Sequence, residues 1–210
     1  MKTFIAYNTI DFNSIPDIKL NNDEIKKKYK ITYEKVVLFT GRIQERKRLD
    51  ILLDIFSNLI TDESIGLVIV GPGMNESFLK IINNSKNIIY LGEIYDIYQI
   101  NEIYKCSDIF CIPGTNGLGI NHALYWGLPV ITLKTVWHNP EIFYLKNGVN
   151  GYLVNDKYEL KDKICYLFKN PDELNKMKRN AKKIIIREAN VEKMFMGFYQ
   201  AINYLEKNKL

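Results

Sequence analysis

Two basic residues, Arg42 and Lys47, flank the short turn GRIQERK that follows the apolar run Val36 to Thr40. A helical pattern begins soon after this turn, near Leu49. Cations beside a helix N-terminus favour a phosphate group, because the free backbone amides and the helix dipole attract the same negative charge. A basic turn is also common on plain solvated surface, so the turn alone leaves two interpretations open: a phosphate site and a surface loop.

A glycine-rich segment after the run Ile109 to Ile112 is the second candidate for chemistry. Gly117 and Gly119 would let the backbone approach a ligand closely. A short helix is predicted over Leu118 to Trp126, and the amides at its start would face an anion. His122 lies one turn into this helix, where a lone histidine is equally compatible with a structural role.

A third turn, GPGMNE, follows the run Leu67 to Val70. Gly71 and Gly73 form only the first part of a dinucleotide fingerprint, since the third glycine is absent and no acidic residue ends the next strand. The pattern therefore excludes a nicotinamide or flavin cofactor.

A fourth turn, NPEIFYLKNG, contains the acidic residue Glu141. We predict that Glu141 begins a short helix ended by Asn147 and Gly148. An acid in the first turn of a helix is favourable on electrostatic grounds alone, so this position does not by itself indicate a ligand.

These turns punctuate a repeating pattern in which an apolar, β-rich run is followed by a turn and then by a helix. The predicted strands are Val36 to Thr40, Leu67 to Val70, Ile88 to Leu91, Ile109 to Ile112, Val130 to Thr132 and Gly151 to Val154. Continuous apolar character is typical of parallel strands buried on both faces. The pattern predicts an α/β fold with a doubly wound, Rossmann-like parallel β-sheet, whose ligands bind at the carboxyl ends of the strands.

The remaining elements are predicted to be helical. Apolar stripes at Leu49 to Phe56, Phe78 to Ile82 and Ile100 to Tyr104 predict crossover helices, and Leu160 to Phe168, Pro171 to Arg187 and Val191 to Leu205 predict three helices after the last strand. Asn170 is predicted to cap the second of these three with its side chain. The first thirty residues are less regular, with a strand predicted at Thr3 to Tyr7 and a charged helix at Asn22 to Tyr29.

The composition is that of an ordinary globular protein, with 210 residues of which 47% are hydrophobic and 25% are charged. This balance excludes a fibrous or disordered chain. Three cysteines without zinc spacing indicate reduced thiols in a cytoplasmic protein. We expect neither an export signal nor a membrane span, because no run approaches about 20 apolar residues.

The net charge of +5 is concentrated near the end of the sequence. Residues 161–210 hold 12 Lys and Arg against 6 Asp and Glu, whereas residues 1–160 hold 17 against 18. A basic segment of this kind can bind nucleic acid, bind anionic phospholipid headgroups, or form a solvated helix face.

In order and spacing, these motifs resemble the C-terminal half of retaining glycosyltransferases with the GT-B fold, of the glycosyl transferases group 1 or family 4 type. The matching segments, which cover nearly the whole chain, are Asn8 to Asp11 with Pro16, Thr40 to Lys47, Gly71 to Gly73, Leu91 to Glu93, Gly127 to Val130, and Glu141 with Asn150 and Gly151.

The resemblance implies that Arg42 and Lys47 bind the donor diphosphate and are the catalytic residues. They would stabilise the departing nucleoside diphosphate without a metal ion, and no protein nucleophile would be needed. The residues expected to contact the nucleotide sugar are Gly41, Gly71, Glu93, Ile94, Tyr95, Asn116, Gly117, Leu118, His122 and Glu141. A UDP- or GDP-linked sugar is then the substrate, and no separate cofactor is expected.

One departure from the family concerns two glutamates around the Gly-rich turn, of which the first usually touches the sugar and the second the ribose. His122 occupies the second position in this chain. Asn116 is the nearest polar substitute for the first. The identity of the donor is the inference that this departure affects most.

GT-B enzymes have two Rossmann-like domains, and the acceptor binds mainly to the N-terminal one. We therefore expect residues 1–210 to form a single donor-binding domain without the acceptor domain, with a less regular lead-in over residues 1–30 and C-terminal helices over residues 159–210. The acceptor domain would be supplied in cis or as a separate subunit, and the chain alone would hardly transfer sugar. The expected reaction is retaining transfer of a hexosyl group to a glycan or lipid-linked acceptor, in surface polysaccharide synthesis.

Two other functions stay open. The first is a noncatalytic module that binds a membrane or a protein partner through the basic C-terminal helices. The second is a nucleotide-sugar 2-epimerase, which is less favoured because its catalytic acids are not visible. Whether the chain belongs to a glycosyltransferase or is a binding module, we expect it to contact the inner face of the cell membrane peripherally. We do not expect it to bind nucleic acid.

Overall fold

A six-stranded, fully parallel β-sheet forms the centre of the protein, which a computed structural model describes over residues 2–208. The strands are β1 (Lys35–Thr40), β2 (Ile65–Val70), β3 (Ile88–Tyr90), β4 (Ile109–Cys111), β5 (Val130–Leu133) and β6 (Gly151–Val154). They lie in the order β3-β2-β1-β4-β5-β6. The order reverses between β1 and β4, and this switch point is where doubly wound sheets bind ligands.

Eight α-helices of the described residues surround the sheet. They are α1 (Asn22–Lys28), α2 (Leu49–Asp54), α3 (Glu76–Asn83), α4 (Ile97–Lys105), α5 (Gly119–Tyr125), α6 (Lys157–Lys169), α7 (Pro171–Glu188) and α8 (Val191–Asn208). Helix α2 contacts α3, whereas α5 contacts α7 and α1 contacts α4. Right-handed crossovers place the helices before and after the switch point on opposite faces of the sheet.

The predicted fold class is confirmed, and the ends of the six strands predicted between Val36 and Val154 lie within two residues of the observed ones. Strands β1 and β2 pair along their full length, from Lys35 opposite Ile65 to Thr40 opposite Val70. All residues of β2 are buried. This burial on both faces explains why the sequence shows continuous apolar runs rather than alternation.

The strand predicted at Thr3 to Tyr7 is wrong. Residues 2–11 join no sheet, and residues 2–6 lie along α8 instead. The ring of Phe4 lies 5.5 Å from that of Tyr204, and a Cβ on Gly197 would stand only 2.2 Å from the carbonyl oxygen of Ile5. Residues with high β propensity therefore do not form a strand here, because the element they pack against is a helix and not a strand.

Two predicted helix ends also differ from the structure. The side chain of Asn170 donates to the carbonyl of Tyr166 at 2.7 Å and makes no capping bond to α7. The helix containing Glu141 is a 3-10 turn, Pro140–Tyr144, which ends before Asn147. It stops early because the side chain of Asn150 takes the next free amide, that of Lys146, at 2.7 Å.

Two further sequence predictions concern the state of the cysteines and the absence of membrane-spanning helices. Cys106 and Cys111 are buried free thiols, as predicted. Burial raises the pKa of Cys106 to about 12, so this thiol stays protonated at neutral pH. Within residues 2–208, none of the helices combines the length and the apolar character that crossing a bilayer requires.

The loops after β1 and β2 meet backbone to backbone. Gly71 has a φ of +136°, and a Cβ there would stand 2.3 Å from the carbonyl oxygen of Gly41. The amide of Gly71 donates to the carbonyl of Gly92 at 2.9 Å, which ties in the loop after β3. Gly71 thus joins three neighbouring loops at the carboxyl edge of the sheet.

The loop after β4 joins this group from the other side of β1. Gly114 donates to the carbonyl of Lys47 at 3.1 Å, and Thr115 donates to that of Arg46 at 2.8 Å. A Cβ on Gly114 would stand 2.0 Å from the Arg46 carbonyl oxygen. The basic turn is therefore fixed by backbone contacts across the switch point.

We expect Gly71→Ala to lower the free energy of unfolding by about 3 kcal/mol, because the new methyl group collides with Gly41 in a strained backbone conformation. Denaturant titration measures this loss. The matched control is Gly92→Ala, where φ is +81° and no atom lies within 4 Å of the added Cβ. It should cost about 1 kcal/mol. Equal losses in the two variants would contradict backbone contact between the loops.

Candidate functional site

Arg42 and Lys47 lie in the turn at the carboxyl end of β1, as predicted from the sequence. Arg42 is exposed, and Lys47 is half-buried at the end of a 3-10 turn, Glu45–Lys47. The Lys47 Nζ stands 3.8 Å from the place where a Cβ on Gly41 would be, so the ammonium group lies directly beside Gly41, whose φ of +122° favours glycine. Lys47 forms no salt bridge with any residue in 2–208.

Burial lowers the pKa of Lys47, and the charge of Arg46 lowers it further, whereas the carboxylate of Glu141 acts in the opposite direction. The ammonium group is thus partly desolvated beside a second cation. An anion placed here would restore the lost solvation and relieve the repulsion. The turn therefore has the electrostatic character of an anion site.

The loop after β4 presents backbone amides near this turn. The amides of Gly117, Leu118 and Gly119 donate to no acceptor within the described part of the chain. Leu118 is exposed, and the side-chain nitrogen of Asn139 would stand 2.9 Å from a Cβ on Gly117. Gly117 thus leaves space for Asn139, and the free amides remain available to a ligand.

Four buried polar side-chain atoms of residues 2–208 lack a hydrogen-bond partner, and all four belong to residues 116–141. They are Asn116 Oδ1, Asn121 Oδ1, His122 Nδ1 and Glu141 Oε2. Buried polar atoms are nearly always paired, so such a group calls for a specific explanation. All four atoms belong to residues in the segments that follow β4 or β5. Their position favours a ligand site at the carboxyl edge of the sheet.

The side chain of Asn116 faces the protein interior. Its amide nitrogen lies 2.9 Å from the carbonyl of Ile112, 3.0 Å from that of Gly114 and 3.0 Å from the hydroxyl of Thr132. Asn116 therefore shapes the glycine-rich loop from inside. Only its Oδ1 is left without a partner.

His122 lies on the inner side of α5 against the sheet. Its ring stacks on that of Tyr104 with centroids 5.8 Å apart, and the Tyr104 hydroxyl bonds to that of Thr40 at 2.6 Å. Burial lowers the pKa of His122, so the imidazole is neutral at pH 7.

Glu141 is 3% exposed and is held by the first segment of the chain. The side chain of Asn8 donates to Glu141 Oε1 at 2.9 Å. The carbonyl of Asn8 in turn accepts from Tyr144 at 3.2 Å and from Asn121 at 3.3 Å. Sequence reasoning placed Asn8 in a family motif but not at the site, because 133 residues separate it from Glu141.

The loop after β3 carries the predicted nucleobase residues. Glu93 and Tyr95 are exposed, with the Tyr95 hydroxyl donating to Glu93 at 2.9 Å. This hydrogen bond raises the pKa of Tyr95, and the nearby charge of Arg42 opposes the shift. Ile94 packs against the core. The loop therefore lies within electrostatic range of the basic turn.

A cavity of about 620 Å³ opens beside the basic turn, and sequence reasoning did not identify it. Its lining includes Arg46, Arg48, Lys134 and Trp137. Arg48 forms an ion pair with Asp50 at 3.0 Å. Basic residues on two loops that are distant in sequence gave no signal, because only the sheet topology brings these loops together.

No three His, Cys, Asp or Glu side chains cluster as metal ligands within residues 2–208. Metal independence stays a prediction drawn from the resemblance.

Comparison with known proteins places this geometry in a family. Residues 21–184 match the family model described as glycosyl transferases group 1. The chain is also similar to N-acetyl-alpha-D-glucosaminyl L-malate synthase of Bacillus anthracis, with 25% identity over 208 residues. The match covers 95% of this chain and 52% of the relative, so the chain spans about half the length of that protein.

Two solved structures share the fold. HepE of Anabaena, in complex with UDP and glucose, matches 95% of this chain and 56% of its own, with a TM-score of 0.79 and 19% identity. The C-terminal domain of LpcC, a glycosyl transferase group 1 family protein of Francisella tularensis, matches 87% of this chain and 99% of its own, with a TM-score of 0.72 and 19% identity. These likenesses confirm the Rossmann-like fold expected of the C-terminal half of a GT-B protein. Because the family match runs from α1 into α7 and so spans the whole sheet, the chain belongs to the glycosyl transferases group 1 family.

Proposed function

We propose that this chain is the donor-binding domain of a glycosyltransferase and that it binds a nucleotide sugar, UDP- or GDP-linked, at the carboxyl edge of the sheet. The observation that carries the proposal is the partly desolvated Lys47 ammonium, without a salt bridge among residues 2–208, at the switch point of a doubly wound sheet. A diphosphate is the anion that this family's donors supply.

Arg42 and Lys47 hold the diphosphate, and the free amides of Gly117 and Leu118 complete its coordination. Gly41 and Gly71 keep the phosphate side of the site clear, since any side chain at Gly71 would strike the neighbouring loop. Two cations and oriented amides stabilise the negative charge that develops on the leaving nucleoside diphosphate. Catalysis then rests on leaving-group stabilisation and positioning, with retention at the transferred hexosyl group and without a metal ion.

The nucleobase lies against Ile94 and Tyr95, with Glu93 beside it. His122 contacts the ribose as a neutral imidazole, because its lowered pKa leaves it uncharged at pH 7. The unpartnered oxygens of Asn116 and Glu141 can only accept hydrogen bonds. A sugar supplies the O–H donors that these acceptors lack.

The complete enzyme transfers the sugar to a glycan or lipid-linked acceptor in surface polysaccharide synthesis. The acceptor would be bound by a second domain, in cis or as a separate subunit. The chain spans 52% of the length of its curated relative, which supports the proposal that donor and acceptor bind to separate domains.

UDP or GDP should raise the melting temperature, and Arg42→Ala should abolish the rise because it removes one of the two diphosphate-binding cations. A ligand at about 100 times its Kd stabilises the folded state by about 2.7 kcal/mol. For a chain of this size that corresponds to a rise of roughly 5 °C or more, which thermal denaturation measures readily.

The matched control is Arg179→Ala, which removes an exposed arginine from α7 on the other edge of the sheet. It should keep the full rise in melting temperature. An unchanged rise in Arg42→Ala would remove Arg42 from the diphosphate site.

Nucleotide affinity should fall as the pH rises through the lowered pKa of Lys47. Below that pKa the ammonium is charged and binds the diphosphate, and above it the attraction is lost, so the fall begins below the ordinary value of 10.5. Binding in this pH range should take up a proton, because the diphosphate raises the pKa of Lys47 again. Calorimetry in two buffers of different ionisation enthalpy measures that uptake.

Lys47→Arg is the control for this pH dependence, because a guanidinium stays charged throughout the range. It should show neither the early fall nor the proton uptake. The same fall in Lys47→Arg as in the native chain would assign the titration to another group.

A further inference from the structure

A second cavity, of about 620 Å³, lies at the opposite edge of the sheet from the basic turn. Ser107 and Leu128, which line it, come just before β4 and β5, so the cavity sits at the amino ends of these strands. The nucleotide site proposed above lies at the carboxyl ends. The two sites are therefore separated by the length of the strands, and neither depends on the other.

The rim of this cavity is strongly basic. Its charged lining residues are Lys105, Lys178, Arg179, Lys182, Lys183 and Arg187, and no Asp or Glu of the described chain lines it. Lys178 is paired with Asp108 at 2.6 Å, and Arg187 with Glu188 at 2.6 Å. The other cations of α7 that line the cavity form no salt bridge within residues 2–208, and all of them are exposed: Arg179, Lys182 and Lys183.

The helical repeat of α7 produces this basic surface. The basic pairs Lys178–Arg179 and Lys182–Lys183 lie four residues apart, and Arg187 follows four residues after Lys183, so these cations share one face of the helix. The opposite face, which includes Met177, Ala181 and Ile185, is buried. A Cβ on Gly127 would stand 3.2 Å from the Lys178 carbonyl oxygen, so this glycine lets the loop before β5 approach α7 closely.

The lining of the cavity also has an apolar part. Trp126, Leu128 and Ile186 line it, with Ile186 47% exposed. The indole nitrogen of Trp126 donates to Asn101 Oδ1 at 2.6 Å, which fixes the orientation of the ring. A half-buried tryptophan beside unpaired lysines is an arrangement suited to the interface of a lipid bilayer, where apolar chains and charged headgroups meet.

We propose that this cavity and the adjoining face of α7 form a docking surface for a membrane that contains anionic phospholipid. The phosphates of the headgroups lie against Arg179, Lys182 and Lys183, and Trp126 and Ile186 contact the apolar region beneath them. The positive charge of this surface favours the negatively charged headgroups of such a membrane as its partner. The unpaired cations span only residues 179–183, about 6 Å of helix, which suits a cluster of headgroups better than the extended phosphate backbone of a nucleic acid.

The test is co-sedimentation of the full chain with vesicles of equimolar phosphatidylglycerol and phosphatidylcholine, and with vesicles of phosphatidylcholine alone. We expect binding to the anionic vesicles only. Lys182→Gln/Lys183→Gln should weaken this binding about 30-fold, from the usual contribution of each lysine near an anionic surface. The matched control is Lys80→Gln/Lys193→Gln, which removes the same charge from exposed sites on α3 and α8. It should bind within about twofold of the native chain.

A second readout locates the contact at the cavity. In Trp137→Phe the remaining tryptophan is Trp126, since the chain contains two. Its fluorescence emission should shift to shorter wavelength with the anionic vesicles and stay unchanged with phosphatidylcholine.

Four outcomes would overturn the proposal. Equal binding to both vesicles would remove the charge dependence, and equal loss in the two double variants would assign the binding to net charge rather than to α7. Binding of glycerol 1-phosphate together with no binding to either vesicle would identify a free phosphorylated ligand. Tighter binding of a duplex oligonucleotide, lost in Lys182→Gln/Lys183→Gln, would identify a nucleic-acid surface.

Discussion

The contact of bare backbone between the loops after β1, β2 and β4 is the constraint on which the site depends. Gly71 lies against the carbonyl of Gly41, and Gly114 lies against that of Arg46 at distances that exclude a methyl group. Parallel strands bring such loops side by side at one edge, but only glycine lets them touch. Because Lys47 accepts a bond from Gly114 through its own carbonyl, the position of its ammonium group follows from that contact.

The positive charge at the carboxyl edge of the sheet is not fully neutralised, and this follows from the packing of several loops rather than from any single residue. The ammonium of Lys47 is partly desolvated next to Arg46, and the compensating carboxylate, Glu141, is itself committed to Asn8. Holding these cations close together costs free energy, and a diphosphate bound as proposed would remove that cost. The same interactions that would bind the donor are therefore those that would stabilise the product nucleotide once the sugar has left.

The sequence predicts the sheet well because each strand is buried on both faces and so leaves a continuous apolar run, as β2 does. It also locates Arg42 and Lys47, since position after a strand in a doubly wound sheet is itself informative. Sequence-based prediction fails where contacts with a distant segment of the chain determine the local structure. The segment Thr3 to Tyr7 is predicted as a strand but packs on α8, and the link from Asn8 to Glu141 joins segments that no local pattern connects. The basic cavity beside Trp126 is likewise invisible until α7 and the loop before β5 are brought together.

The packing of the first segment on α8 bears on the order in which the molecule assembles. Ile5 and Gly197 are separated by nearly the whole described chain, so their contact closes a very long loop, and contacts of this kind form late in folding. During synthesis the first segment emerges long before the helix that covers it. Asn8 belongs to that segment and holds Glu141. The sheet and its glycine contacts do not involve this segment, so they can form before Asn8 reaches Glu141.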